Sequence, residues 1–213
     1  MSIPDRLWTE AEYLATEDAA PSKREFVNGR VYAMAGASPN HNRLTFNIAG
    51  VLYPQLVRGG CRGFSSDTRV GVAATKGYFY PDLSALCGPP EFADPQPMTL
   101  LNPTILIEVL STSTGGFDRG DKFEHYRRIP ALREYVVVAQ DRMFVERRVR
   151  AGDGWRLTAF ERPDDVVELP SVNATFRLSD VYRDLVFPLA SAPLAPRLLR
   201  EEAPPAYAKR ASA

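Results

Sequence analysis

The run at residues 104–111, Thr-Ile-Leu-Ile-Glu-Val-Leu-Ser, constrains this chain more than any other stretch. Its β-branched content and its length are those of a strand covered on both faces, as in the centre of a sheet. One carboxylate, Glu108, interrupts it. A charge in such a place is costly unless it is paired, protonated or bound to a metal. The remainder of the sequence has to supply whichever partner makes Glu108 tolerable.

Downstream, Glu134-Tyr135-Val136-Val137-Val138 is a second buried strand, and residues 118–128 between the two runs form an amphipathic helix that ends before Pro130. Strand, helix, strand in this order implies a right-handed parallel crossover. Upstream, Thr9 and Glu12 have capping-box spacing for a short first helix. Glu25-Phe26-Val27, Asn28-Gly29 and Arg30-Val31-Tyr32-Ala33-Met34 predict a hairpin, because Asn-Gly supplies the positive φ values of a two-residue turn. Ser38-Pro39 reads as an N-cap and first helical residue. The stripe Leu44, Ile48, Val51, Leu52, Leu56 and Val57 follows it, and Gly59-Gly60 ends the helix.

Short strands are expected at 62–65 and 68–73, and a longer one at 78–86. Tyr80-Pro81-Asp82-Leu83 lies inside the longer one, so an edge, a bulge or a strand start is implied there. Residues 88–103 read as a surface loop and 111–116 as a flexible one. Residues 143–150, 155–160 and 166–169 read as an exposed antiparallel meander, and Ser179 as the cap of a last short helix. The fold class is α/β or α+β, a mixed sheet packed by helices. One domain is expected over 1–188, followed by an Ala/Pro-rich tail or arm over 189–213.

Composition removes some functions. The 26 basic and 26 acidic residues cancel, so no global field favours a polyanion, although a local basic groove is compatible with neutrality. Arg119, Arg127, Arg128 and Arg133, and in the late hairpin Arg142, Arg147, Arg148 and Arg150, are candidates for phosphate contact or simply for a solvated face. Cys61 and Cys87 have no metal-ligand spacing and read as reduced, buried thiols. No apolar run approaches the roughly 20 residues of a membrane span, and the polar N-terminus lacks a signal-peptide core. A cytoplasmic protein without membrane contact is expected.

Asp82 and Glu108 carry the chemistry if their strands are neighbours. Two converging carboxylates repel unless a lysine or a divalent cation balances them. Magnesium suits oxygen ligands of this kind and leaves positions to water and phosphate oxygens. Lys122 in the helix after the glycine-containing loop could orient water or stabilise charge on phosphorus. Each residue also has a plain reading: a structural ion-pair partner for Glu108, a turn former for Asp82, a solvated lysine for Lys122, a surface acid for Glu25. His41 could face the cleft or simply cap its helix, and His125 reads as structural. No G-x-S-x-G elbow is present to support a serine hydrolase.

Taken in order, Lys23-Arg24-Glu25-Phe26-Val27-Asn28-Gly29-Arg30-Val31-Tyr32, Ser38-Pro39-Asn40-His41, Tyr80-Pro81-Asp82-Leu83, Ile107-Glu108-Val109-Leu110-Ser111 and the segment 118–126 with Lys122 resemble the Uma2 family. That family is described as restriction-endonuclease-like, within the PD-(D/E)XK nuclease superfamily, and the resemblance covers roughly residues 8 to 160. It implies a core in the order αβββαβ with the active site at a strand fork. It further implies Asp82, Glu108 and the Val109 carbonyl as ligands of magnesium or manganese, with Glu25, Asp82, Glu108 and Lys122 as the catalytic set. His41 and Arg119 would contact substrate. The superfamily's usual lysine position, two after the glutamate, is Leu110 here, so the lysine would come from the following helix as Lys122. The implied activity is endonucleolytic cleavage of DNA, possible in a homodimer; the alternative is a noncatalytic nucleic-acid-binding or interaction protein that keeps the core.

Overall fold

The computed structural model describes residues 6–34, 36–93, 99–110 and 120–187. Helix α1 (Glu10–Glu17) begins at Thr9, whose side chain accepts from the Glu12 N–H while the Glu12 carboxylate accepts from the Thr9 N–H, the reciprocal capping box. Strands β1 (Arg24–Val27) and β2 (Arg30–Ala33) pair in register Val27↔Arg30, turning at Asn28 and Gly29 with φ of 50° and 79°. Helix α2 (Pro39–Arg58) runs unbroken through Pro54, and Ser38 accepts from the His41 N–H at 3.1 Å. Its Leu44, Ile48, Leu52 and Leu56 are buried, whereas Val57, expected in the same stripe, is exposed.

The strands form two main sheets rather than one. After β3 (Cys61–Ser65), strands β4 (Arg69–Val72) and β5 (Gly77–Phe79) join the first hairpin. With β7 (Thr99–Leu100) they complete a five-stranded sheet in the order β2-β1-β5-β4-β7. Strand β3 together with β6 (Leu83–Cys87), β8 (Ile105–Leu110), β9 (Glu134–Ala139), β10 (Val145–Ala151) and β11 (Gly154–Phe160) builds a six-stranded sheet in the order β11-β10-β9-β8-β6-β3. The parallel β8–β9 pair is the expected crossover, with α3 (Asp121–Tyr126) between them.

Four expectations are corrected. The strand foreseen over 78–86 is two strands in two different sheets, parted at Tyr80-Pro81-Asp82. Proline has no N–H for a ladder, and the Tyr80 N–H donates to the Glu25 side chain instead, at 3.2 Å. The loop foreseen over 88–103 contains β7, buried and parallel to β4. The meander ends at β11: β12 (Val166–Leu169) pairs with β13 (Ala174–Arg177) as a separate ribbon around a 3₁₀ turn at Pro170–Val172. The last helix, α4 (Leu178–Val181), follows Arg177 without a side-chain cap from Ser179.

Cys61 and Cys87 are also not the free thiols expected. They face each other across the β3–β6 pair and are joined as a disulfide. Residues separated by 26 positions meet through strand register, which cysteine spacing alone does not reveal. Among the described residues no helix is long and apolar enough to cross a membrane. The loop at 111–116, Arg119 and the tail at 189–213 lie outside the described residues.

The central strands β8 and β9 of the six-stranded sheet are covered on both faces. Ile105, Ile107, Val109, Val136 and Val138 pack with Leu44, Ile48, Leu52 and Leu56 of α2. The alternate residues Leu106, Leu110, Tyr135 and Val137 pack with Phe123 and Tyr126 of α3 and with Val70, Phe79 and Leu100 of the other sheet. Each such side chain contributes roughly 1.5–3 kcal/mol when fully buried. Period two along β8 therefore aims Glu108 at α3 and the five-stranded sheet.

Candidate active site

At that position Glu108 meets a lysine. The Lys122 ammonium lies 2.9 Å from Glu108 Oε1 and 2.8 Å from Glu25 Oε1, with all three side chains almost completely buried. The three groups come from β8, α3 and β1, so one ammonium ties both sheets to the helix. Tyr126 Oη donates to the same Glu108 Oε1 at 2.9 Å. Burial, and then the Glu108 charge, push the Tyr126 phenol far above its ordinary range, which keeps it a hydrogen-bond donor. Glu25 also accepts from the Tyr80 N–H.

Asp82 enters where the chain passes from one sheet to the other. Leu83 pairs with Ile107, so Asp82, one residue earlier, stands level with Glu108 across β6 and β8. Its Oδ2 accepts from the Val109 N–H at 2.7 Å and lies 3.2 Å from His41 Nε2. Pro81 matters to this placement, since ending the ladder frees Asp82 to turn its carboxylate toward the β8 backbone. His41 is held in the first turn of α2 by the Ser38 cap, and its buried Nδ1 has no hydrogen-bond partner among the described residues.

Of the residues singled out from sequence, Glu25, Glu108 and Lys122 converge directly. Asp82, Val109 and His41 form an adjoining group, linked to the first through consecutive residues of β8. Arg119 lies outside the described residues. His125, read from sequence as structural, is buried, its Nδ1 is 2.8 Å from Thr75 Oγ1, and its ring stands against Phe79. Sequence reasoning missed Tyr126. The signal was available, because Lys122 and Tyr126 are four positions apart on a helix and so share a face. It also missed the Tyr80 N–H, for which no side-chain pattern exists.

A divalent cation can be tested against this donor set. Among the described residues no three His, Cys, Asp or Glu side chains gather into a preformed cage. Asp82 and Glu108 each supply hard oxygen donors from backbone positions that the strand register makes neighbours. Magnesium is commonly held by only one or two carboxylates, with water and substrate phosphates completing its shell. The residues present fit such an ion in kind and number. Elsewhere another strand carboxylate stands apart from this group: Glu134, fully buried at the start of β9, accepts at Oε1 from both the N–H and the hydroxyl of Ser171, and its buried Oε2 has no hydrogen-bond partner among the described residues.

The sequence profile of the Uma2 family, described as "Putative restriction endonuclease", matches residues 10–180. Two proteins of Synechocystis sp. (strain ATCC 27184 / PCC 6803 / Kazusa) are similar along most of their length. "Uncharacterized protein sll1609" is 43% identical over 72% of this chain and 87% of its own. "Uncharacterized protein slr1290" is 32% identical over 87% of this chain and 97% of its own. A crystal structure from Anabaena variabilis ATCC 29413, of "a putative nuclease belonging to DUF820", superposes with a TM-score of 0.64. It covers 84% of this chain and 99% of that one at 18% identity, a likeness of fold.

Proposed function

This chain belongs to the Uma2 family of restriction-endonuclease-like proteins, and from that premise we propose that it is a metal-dependent endonuclease hydrolysing phosphodiester bonds in DNA. The observation that carries the reading is the buried Lys122 ammonium held between Glu25 and Glu108, with Asp82 level beside them. Ordinary core packing does not call for three ionisable groups at a junction of two sheets, whereas functional sites repeatedly hold such clusters.

Asp82 and Glu108, with the Val109 carbonyl, would hold a magnesium or manganese ion. When bound, the ion supplies Lewis-acid stabilisation of negative charge on the phosphodiester. The other roles belong to the chain itself. Lys122 orients the attacking water and offsets charge gathering on the non-bridging oxygens. Glu25 holds Lys122 in place from the opposite sheet, and Tyr126 fixes the Glu108 carboxylate by its hydrogen bond. The Val109 N–H and His41 fix Asp82, and His41 and Arg119 contact the substrate strand. Cleavage of both strands is often arranged with two sites, and the reading includes a homodimer on that ground.

A plasmid-nicking assay in magnesium tests the reading with Glu108→Ala and Lys122→Ala, each checked for an intact fold by circular dichroism. Loss of nicking by at least about 100-fold in both is expected; nicking unchanged in both would remove the assignment. Calorimetric titration of magnesium or manganese, with Asp82→Ala as control, reads the metal site independently of turnover. One feature favours the noncatalytic alternative: the Glu108 carboxylate already has a cationic partner in Lys122. That alternative predicts DNA binding with neither nicking nor metal uptake.

A further inference from the structure

A cleft of about 410 Å³ opens between the β1–β2 hairpin and α3, within the roughly 300–1,000 Å³ of small-ligand sites. Val27 and His125 contribute buried surface to it, and Arg30, Tyr32, Asp121 and Glu124 contribute exposed surface. Strand register makes it a neighbour of the candidate active site. Tyr32 is the direct cross-strand partner of Glu25, and Arg30 that of Val27, so these four side chains share one face of the hairpin. On the other wall Asp121 immediately precedes Lys122, and His125 follows it by one helical turn. The Glu25–Lys122 ion pair thus joins the two walls of the cleft.

The lining chemistry selects among the parts of a nucleic acid. The two carboxylates are balanced by the Arg30 guanidinium and by Arg127, which pairs with Glu124 at 3.1 Å, so no surplus positive charge is left for a further phosphate. They do accept hydrogen bonds from amino groups, as acidic side chains do with the exocyclic amine of cytosine. Tyr32 is 48% exposed and offers an aromatic surface of the kind on which unpaired bases stack. His125 has its ring orientation set by Thr75. A planar ring bearing an exocyclic amine satisfies both walls.

Resting on the nuclease reading above, we propose that this cleft receives the unpaired base of a nucleotide flanking the scissile phosphate and selects cytosine, adenine or guanine over thymine. The base stacks on Tyr32, and its amine donates to Asp121 or Glu124. A base inside a duplex cannot reach such a cleft without leaving the stack, so the preferred substrate is single-stranded or locally unpaired DNA.

The test is fluorescence anisotropy with the full-length protein in EDTA at fixed salt. The probes are short labelled oligo(dC), oligo(dA), oligo(dT) and a mixed duplex. Wild type is expected to bind oligo(dC) and oligo(dA) at least about fivefold more tightly than oligo(dT) and duplex. Asp121→Ala combined with Glu124→Ala should bring the ratio to oligo(dT) below about twofold without weakening oligo(dT) itself. Tyr32→Ala should weaken all single strands alike, by about 5- to 100-fold. All three positions are exposed, so melting curves should stay close to wild type. Equal affinity for the homopolymers, no binding to any of them, or a ratio that survives the double substitution would overturn the proposal. EDTA keeps this result separate from cleavage. Base discrimination without nicking in magnesium sinks the enzymatic reading alone, and nicking without discrimination sinks the cleft assignment alone.

Discussion

Replacing Tyr126 with phenylalanine removes one oxygen from the core while keeping a ring that packs against Phe79 and Tyr135. The loss falls on Glu108 Oε1, which keeps Lys122 but gives up its phenolic donor. Hydrogen bonds to charged groups contribute about 1.5–3 kcal/mol, so Tyr126→Phe should lower unfolding free energy by that amount. Urea denaturation measures it, and a change within about 0.5 kcal/mol would mean that the bond does not form. At this scale the sequence was legible where charge met apolar surroundings. Glu108 stood out for that reason, and Asp82 through the proline before it. Lys122 was a candidate by position after the glycine-containing loop, and family resemblance was needed to prefer it, because a helix lysine is ordinarily solvated. Tyr126 was hidden for the opposite reason: an aromatic residue on a helix reads as core, and its hydroxyl goes unconsidered. Glu134 shows that a strand carboxylate can sit apart from the cluster: its Oε1 accepts twice from Ser171, while its buried Oε2 has no hydrogen-bond partner among the described residues.

Between elements, legibility followed how local the cause was. Asn28-Gly29 encodes its own turn, and Thr9 and Glu12 encode their own cap, so both appeared where expected. The division of one apparent strand into β5 and β6 depends on a long-range partner. Glu25 captures the Tyr80 N–H from another strand, and a sequence window around Pro81 cannot contain that. The same holds for β3 and β6, whose register places Cys61 opposite Cys87. Their bond closes a loop with a sequence separation of 26 residues. Constraining a loop of this size in the unfolded chain is worth about 2–4 kcal/mol. Reductant, or Cys61→Ala together with Cys87→Ala, should therefore lower the thermal midpoint. Identical melting with and without reductant would show that the bond contributes nothing to stability.

Stability of the whole molecule should fall at both ends of the pH range, through different residues. Burial raises the phenols of Tyr13, Tyr126 and Tyr182, and raises Tyr80 to about 12. In the unfolded chain these groups lose protons near an ordinary value of about 10. The folded state then holds more protons than the unfolded one, so stability present below pH 10 is lost as pH rises beyond it. His125 works in the other direction: burial lowers it from 6.5. As pH falls below that value, the unfolded chain takes up a proton that the folded chain takes up only at lower pH, and stability declines. Urea midpoints measured from pH 5 to 11 should show a plateau between these limits. His125→Gln should reduce the slope on the acid side. The general α+β class was legible from strand and helix periodicities. The number of sheets was not, because Val70, Phe79 and Leu106 look alike in sequence whichever sheet they join.

The arrangement of those sheets along the chain has a consequence for synthesis. Every strand of the five-stranded sheet is encoded before residue 101, but the ammonium that joins its Glu25 to Glu108 comes from Lys122. As the polypeptide leaves the ribosome, the first sheet has all its strands while its inward carboxylate still lacks this counter-ion. It cannot close as a dry unit until α3 has emerged. The candidate catalytic centre and the joining of the two sheets are therefore one late event of biogenesis, and a nascent chain stopped short of the helix has neither.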